Sequence, residues 1–482
     1  MPSTDEPSFL GRLIRNTAIA FGGTLVLKAL TFAATLVLAR GLGAETFGIY
    51  SYVGAYMFLF AFVADLGLEQ VLTREISRAP HRTSEILGNA LLLKLAVSAV
   101  ALVAAIGIAH ALQMSEEARY CIYISACGLP LSVVMVFRSY LQSRYEIKYN
   151  MVVSVPSTAA LLVAAIVVVG LHLPLHILFY ATLGVGVLNL LAFLWLMLPR
   201  LQIVMRPRWA DMKPLLRDSF EVGLLAALVA ISMRIDQVLL FYIRSASEVG
   251  VYGAAVRVTE ALAIVPYALL LTVFPLLTTE HTAQERFHHT YRLSCKYLAA
   301  LTMPVALSLT VLRREFITAV FGPGYEGGAD ALAVLAWNMF FGYIGSVYMN
   351  LFIAQARQRS AVSVTLLSVI VNVGCNLAWI PQYGATGAAA ATLAASVAAF
   401  VAWCVLPATR RYMLICMGET WRPILASAAA VGALWVPGVS GAAGVLMVSL
   451  AYVVILWRLG GVTWTDVALV QRLFAHDRIP TA

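Results

Sequence analysis

The chain has 482 residues, 61% of them hydrophobic and 12% charged, with a mean hydropathy of +0.85. An ordinary soluble domain carries roughly 25% charged residues, so this composition belongs to a protein of many membrane spans. Fourteen spans of about 22 residues take up roughly 308 residues, and the short remainders exclude a nucleotide-driven motor or a large catalytic domain outside the membrane. The net charge of +9 comes from basic residues at span ends and does not point to nucleic acid.

Residues 1–16 read as a cytoplasmic N-terminus. Arg12 and Arg15 precede an apolar run, as in a signal peptide. The run 17–39 is longer than a signal core and long enough to cross a bilayer, so it is expected to stay as the first span. Further spans are expected near 46–68, 86–112, 118–141, 151–171 and 174–198, completing an N-lobe over 17–200. A C-lobe over 218–407 follows, with spans near 218–243, 249–277, 294–312, 330–353, 361–380 and 386–407. Two more spans, 422–438 and 440–458, and a cytoplasmic tail, 459–482, complete the chain. Pro130, Pro156, Pro266, Pro275 and Pro304 fall inside spans, where proline removes a helix hydrogen bond and favours a kink. The longest outer loop, from Arg313 to Ala329, carries FGPGYEGGAD across its end and reads as a turn and a lid.

Lysine and arginine set the orientation. With the N-terminus in the cytoplasm, 24 of the 33 basic residues fall in cytoplasmic segments and 5 in outer segments, and Lys28, Lys94, Arg234 and Arg257 lie within spans. The chain also repeats itself. LARGLGAETFGIYSYV (Leu38 to Val53) and FYIRSASEVGVYGAAV (Phe241 to Val256) both run from an arginine through a glutamate to Gly-x-Tyr, and Gly48 and Gly250 are 202 residues apart. That offset is about six spans. An even number of spans keeps both copies crossing in the same direction, which gives a parallel repeat about an axis normal to the membrane. The predicted fold is therefore an all-α integral membrane protein of about 14 helices. Two six-helix lobes are related by a pseudo-two-fold axis, with two C-terminal helices added.

Charges inside hydrocarbon are costly and mark function or pairing. Lys28, Lys94, Arg234 and Arg257 make a cationic path if they face one cavity, and guanidinium forks suit phosphate. The bland readings are snorkelling for the lysines and cancellation of Arg257 by Glu260, three residues away on one helix face. Asp65 is expected to answer a basic partner near the cytoplasmic end. Asp236 cannot share a face with Arg234. Asn372 and Asn376 on span 11 offer it either oxygen ligands for Na⁺ or H⁺ coupling, or a plain helix–helix hydrogen bond. The six cysteines show no metal or disulfide spacing. Phosphate loop, histidine cluster and nucleophile elbow are all missing from the sequence, and no cofactor is expected.

The stretch from Leu38 to Arg78 resembles the first block of the polysaccharide biosynthesis protein family. These are Wzx-type flippases of the multidrug/oligosaccharidyl-lipid/polysaccharide exporter superfamily. EVGVYGAAVRVTEALAIVPYALLLTVFPLLT, FGPGYEGGADALAVLAW and YGATGAAAATLAAS extend the likeness along the chain. The resemblance implies alternating access around a cationic cavity in a bacterial inner membrane, with both termini cytoplasmic. It implies an undecaprenyl-pyrophosphate-linked oligosaccharide as cargo, and a polysaccharide polymerase and glycosyltransferases as contacts. Lys28, Arg234 and Arg257 match the family's cavity cations by helix and depth, and Asp236, Asn372 and Asn376 look like the cation site of some relatives. Two other readings stay open: a cation-coupled drug or metabolite antiporter, and a membrane-embedded polymerase or transferase needing acid/base residues such as Glu315, Glu326 and Asp330.

Overall fold

A backbone in hydrocarbon must satisfy its own hydrogen bonds, and the described residues accordingly form helices with no strand among them. The computed structural model describes residues 9–144, 146–197, 199, 208–264, 284–354, 358–432 and 441–461. Among these, nine helical stretches are long and apolar enough to cross a membrane. Two of the nine, Phe21–Arg78 and Ala361–Val405, run through kinks and hold two expected spans each. Valines and leucines such as Val100, Val103, Val152 and Leu188 stand exposed on the helix surfaces, where lipid solvates them.

The chain divides into two compact units. The first comprises Met1–Arg257, Val320–Gly327 and Asn372–Ala388. Its leading helix, α1 (Phe9–Asp65), bends at Gly43, whose φ of 75° is a conformation that glycine adopts without a Cβ penalty. Residues 40–45, expected as a loop, are thus a kink between two helical arms. The second arm ends at Leu66 and Gly67, both at positive φ. The short helix α2 (Leu68–Arg78) follows and buries Leu68, Val71, Leu72 and Ile76 on one face. That face joins Leu87 of α3 (Thr83–Ala111), Phe137 of α5 (Val134–Ser143) and Leu215 in one apolar cluster. Span 4 is broken between α4 (Glu116–Ala126) and α5 by a 3₁₀ turn that begins at Pro130. Helices α6 (Ile147–Gly170) and α7 (Leu175–Met197) are continuous, and Pro156 sits inside α6. Helix α8 (Trp209–Ile243) ties its start to the α2 end of the unit through Asp218–Arg74 at 2.7 Å and Asp211–Arg82 at 3.0 Å. Helix α9 (Ala246–Leu262) carries the second copy of the repeat. Pro266, Pro275 and the rest of the expected span 8 lie outside the described residues.

The second unit comprises Val258–Ala319, Gly328–Val371 and Ala389–Ala482. Here α10 (Gln284–Val311) packs against three helices: α12 (Ala329–Ala354), α14 (Pro407–Val431) and α15 (Gly441–Arg458). Arg292 bonds Glu419 at 2.6 Å, and the Tyr452 hydroxyl donates to the Ala300 carbonyl at 3.1 Å.

Two expectations are corrected. The outer loop from Arg313 is a helix, α11 (Arg313–Phe321), followed by a 3₁₀ turn over Pro323–Gly328. It is no free lid, because Phe321 and Tyr325 are buried and the Tyr325 hydroxyl donates to the Ala39 carbonyl at 2.6 Å. The segment 407–421, expected between spans, is also helical. Met413, Cys416 and Thr420 recur at helical spacing and bury one face, which polar neighbours such as Arg410 and Arg411 had masked. The expected turn at Pro437 and Gly438 lies outside the described residues. Spans 11 and 12 form one element, α13 (Gln358–Val405), kinked at Gly384 with φ 53°.

Candidate functional site

In the first unit the two copies of the repeat meet. A Cβ on Gly48 would overlap the carbonyl of Ala246, and a Cβ on Gly250 would overlap the carbonyl of Ala44. Both contacts obey the 202-residue offset, so the second arm of α1 and helix α9 start backbone on backbone at equivalent places. Only glycine permits that approach. Side chains pin the surroundings. Arg40 Nε donates to the Val320 carbonyl at 2.8 Å. Arg244 pairs with Glu248 at 3.1 Å and donates to the Pro381 carbonyl at 3.3 Å. The Glu248 carboxylate accepts from the Ala385 amide at 2.8 Å, beside the kink at Gly384. Together these contacts form a roof.

Beneath the roof lies a cavity of about 470 Å³, within the range of ligand pockets, roughly 300–1,000 Å³. Its wall is mostly apolar, with Leu38, Val53, Met57, Leu129, Leu161 and Leu183. Tyr50 and Phe179 put two rings into it, their centroids 6.0 Å apart. Hydroxyls come from Thr31, Thr35, Ser125, Thr158 and Thr182, and a cation from Arg257. Arg257 lies seven residues beyond Gly250, about 10 Å below the roof along the helix.

The sequence-predicted residues fall into separate places. Arg257 lines the cavity. Lys28 is half-buried on the helix face that carries Thr31, Thr35 and Leu38. Arg234 is buried elsewhere in the unit, its guanidinium 5.0 Å from the Phe58 ring centroid. Lys94 does not join Arg257. It is 1% exposed and donates to Asp65 at 3.1 Å and to the Ala64 carbonyl at 2.9 Å. The reason lies in the helix break at Leu66 and Gly67, which leaves the last carbonyls of α1 without helix donors, and an ammonium at a helix C-terminus satisfies them. Asp65 thereby has its basic partner. Asp236 accepts from the Tyr252 hydroxyl through Oδ2 and from the Gln237 amide through Oδ1. Asn376 Nδ2 donates to Asn372 Oδ1 at 3.0 Å, and both asparagines are fully buried. Asn376 Oδ1 and Asn372 Nδ2 are left without a hydrogen-bond partner among the described residues. Glu260 is half-buried, on the α9 turn after Arg257.

Sequence reasoning missed the hydroxyl wall and the Tyr252–Asp236 bond. The signal for the first was Lys28, Thr31 and Thr35 at helical spacing on one face. The signal for the second was the Gly-x-Tyr motif itself, read only as a marker of the repeat.

The model of the family described as "Polysaccharide biosynthesis protein" matches residues 13–281, more than half of the chain. The chain belongs to the polysaccharide biosynthesis protein family. A curated member-like relative, the probable low-salt glycan biosynthesis flippase Agl15 of Haloferax volcanii, is 21% identical over 375 residues, 77% of each chain. Among solved structures, the lipid II flippase MurJ in an inward closed conformation superposes with a TM-score of 0.70 at 11% identity, covering 93% of this chain and 100% of that one. An inward-facing multidrug resistance MATE family transporter of the MOP superfamily gives 0.63 at 20% identity, covering 82% and 96%. A MOP superfamily transporter from Pyrococcus furiosus gives 0.61 at 18%, covering 84% and 96%. The fold is that of multi-span membrane transporters. This member of the polysaccharide biosynthesis family is a multi-pass membrane protein with that fold.

Proposed function

We propose that the protein is a flippase that moves an undecaprenyl-pyrophosphate-linked oligosaccharide from the cytoplasmic to the outer leaflet of a bacterial inner membrane. Both termini are cytoplasmic in this reading, and the roof is the outer gate. The observation that carries it is a cavity with Arg257 in its wall, beside glycine–carbonyl contacts at repeat-related positions that this reading takes as its closure. Such a closure opens by moving two helices apart, without breaking a packed side-chain core. The family membership and the flippase name of the Haloferax volcanii relative support the same reading.

Arg257 offers a planar donor fork to pyrophosphate oxygens, and Lys28, one turn from Thr31, adds a mobile charge. The polyprenyl tail stays in lipid. The buried carboxylate of Asp236 and Asn376 Oδ1, which has no hydrogen-bond partner among the described residues, are oxygens of the kind that a coupling Na⁺ or a titrating proton uses. A coupling ion biases one state only through its differential affinity for the two. Polymerase and glycosyltransferases then act on either side of this step.

The test is the sidedness of lipid-linked oligosaccharide in cells lacking the protein, probed with an external glycosidase. Accumulation of intermediate protected from the enzyme supports the flippase. Normal external exposure with polymer still missing places the defect later and contradicts it.

A further inference from the structure

The first four turns of α8 divide their charges between two faces. Asp211 and Asp218 turn into the protein, where they pair with Arg82 and Arg74. Leu215 and Ser219 are buried on that side. At 3.6 residues per turn, Trp209, Lys213, Arg217, Phe220 and Leu224 fall within an arc of about 80° on the other side. All five are exposed. Lys213 and Arg217 have no ion pair among the described residues. Like charges four residues apart repel on a helix surface. The helix thus uses these two acids inside the unit and turns two mutually repelling cations outward, which calls for an anion from outside the chain.

The face lies at the bilayer surface. The Arg208 amide donates to Asn89 Oδ1 at 3.3 Å, and Asn89 falls inside the expected span 86–112. At the far end of these turns Gly223 lies on the backbone of Leu66, just past the end of α1. The membrane-length apolar stretch of α8 begins at Val222. Along the helix, Arg217 lies about 8 Å before it and Lys213 about 14 Å. A headgroup layer is roughly 5–8 Å deep on each side of the hydrocarbon, and a lysine stem extends the reach of its charge. Phe220 and Leu224 carry the same face into the hydrocarbon, and tryptophan is a residue of the membrane interface. Two cations above an apolar base match a lipid, charged at its head and apolar below. An acidic protein would not use the continuation into the bilayer.

We propose that this face of α8 docks the headgroup of an anionic phospholipid, with Lys213 and Arg217 on its phosphate and Phe220 and Leu224 against its acyl chains. Because the same turns hold Arg74 and Arg82, the lipid ties α2 and the start of α3 to the membrane surface. The inference goes beyond the flippase reading and does not depend on it. Only the naming of the leaflet, cytoplasmic in the proposed orientation, comes from there.

The experiment uses the full chain purified in a non-ionic detergent. Phosphatidylglycerol and phosphatidylcholine of the same acyl chains are the probes, and native mass spectrometry counts bound lipid across a titration. The wild type is expected to hold phosphatidylglycerol more tightly than phosphatidylcholine, and to release it as salt rises. The double variant Lys213→Gln, Arg217→Gln is expected to lose about tenfold in affinity for phosphatidylglycerol, with phosphatidylcholine unchanged. The control, Arg410→Gln, Arg411→Gln, removes two exposed cations from α14 and changes the net charge equally. It is expected to keep the wild-type affinity. An equal loss in the control would make the attraction one of net charge and overturn the site. So would a Lys213, Arg217 double variant with wild-type affinity. A wild type that does not distinguish the two lipids would also overturn it, and would make an acidic protein the occupant to test. Should the double variant fail to insert, Lys213→Gln alone is read in the same way, with a smaller loss.

Discussion

Tyr50 and Tyr252 occupy the same place in two copies of one motif, each two residues after its glycine, yet they have different surroundings. Tyr50 is half-buried and puts its ring into the cavity beside Phe179. Tyr252 is fully buried and gives its proton to Asp236. Two residues earlier, at Gly48 and Gly250, the copies are alike: each glycine lies on the carbonyl of the other copy's helix start. The repeat has therefore kept its symmetry in the backbone contact of the roof and lost it in the side chains below. On the proposed reading, a symmetric roof opens and closes as one motion. In the interior, one copy lines the cavity while the other holds a buried polar pair.

The largest expected effect breaks the shared part. Gly48→Val or Gly250→Val places a side chain where the facing carbonyl already sits. Each variant is expected to abolish export, measured as surface polymer, while membrane insertion stays normal. Gly54→Ala is the control, because a Cβ there meets nothing within 4 Å. Wild-type export from either valine variant would remove the roof from the mechanism.

Breaking the Lys94–Asp65 pair comes next. Lys94→Met leaves the carboxylate without its partner at the end of α1, and loss of one partner of a buried pair costs about 3 kcal/mol. Thermal unfolding in detergent should show the drop, and adding Asp65→Asn should restore much of it. A Lys94→Met protein of normal stability but no transport would instead make Lys94 a cargo residue.

The two tyrosines give the smallest and sharpest test. Tyr252→Phe removes the donor to buried Asp236 and should lower stability by about 1–3 kcal/mol. Tyr50→Phe keeps the ring in the cavity and should change stability by less than about 0.5 kcal/mol. Equal effects on unfolding would mean that the copies are not divided in the way their geometry suggests.

Much of the fold was legible in the sequence, because lipid imposes a simple rule on residue type. Long apolar runs mark spans whatever they pack against, and the repeat was visible in Gly-x-Tyr. The segments missed, Arg313–Phe321 and the start of Pro407–Val431, are helices whose apolar stripe is diluted by paired arginines. Hydropathy averages over faces and cannot see a stripe. In the site, position within the spans suggested that Lys28, Lys94, Arg234 and Arg257 make one cationic path. Lys94 was claimed instead by the break at Leu66 and Gly67, 27 and more residues away along the chain. The hydroxyl wall was illegible for another reason. Threonine is common in membrane helices, and its meaning here depends on the cavity that its helix lines.

The most direct test of the account reads the cavity from both sides of the membrane. The six cysteines are replaced, and Gly54→Cys places a thiol in the cavity wall, where there is room for it. Cells or oriented vesicles are then treated with a membrane-impermeant thiol reagent from one face at a time. With Gly48 and Gly250 intact, the account predicts labelling from the cytoplasmic face and protection from the outer face. With Gly48→Val added, it predicts labelling from the outer face as well. Outer labelling as fast as inner labelling with both glycines in place would contradict the sealed roof and the alternating access built on it.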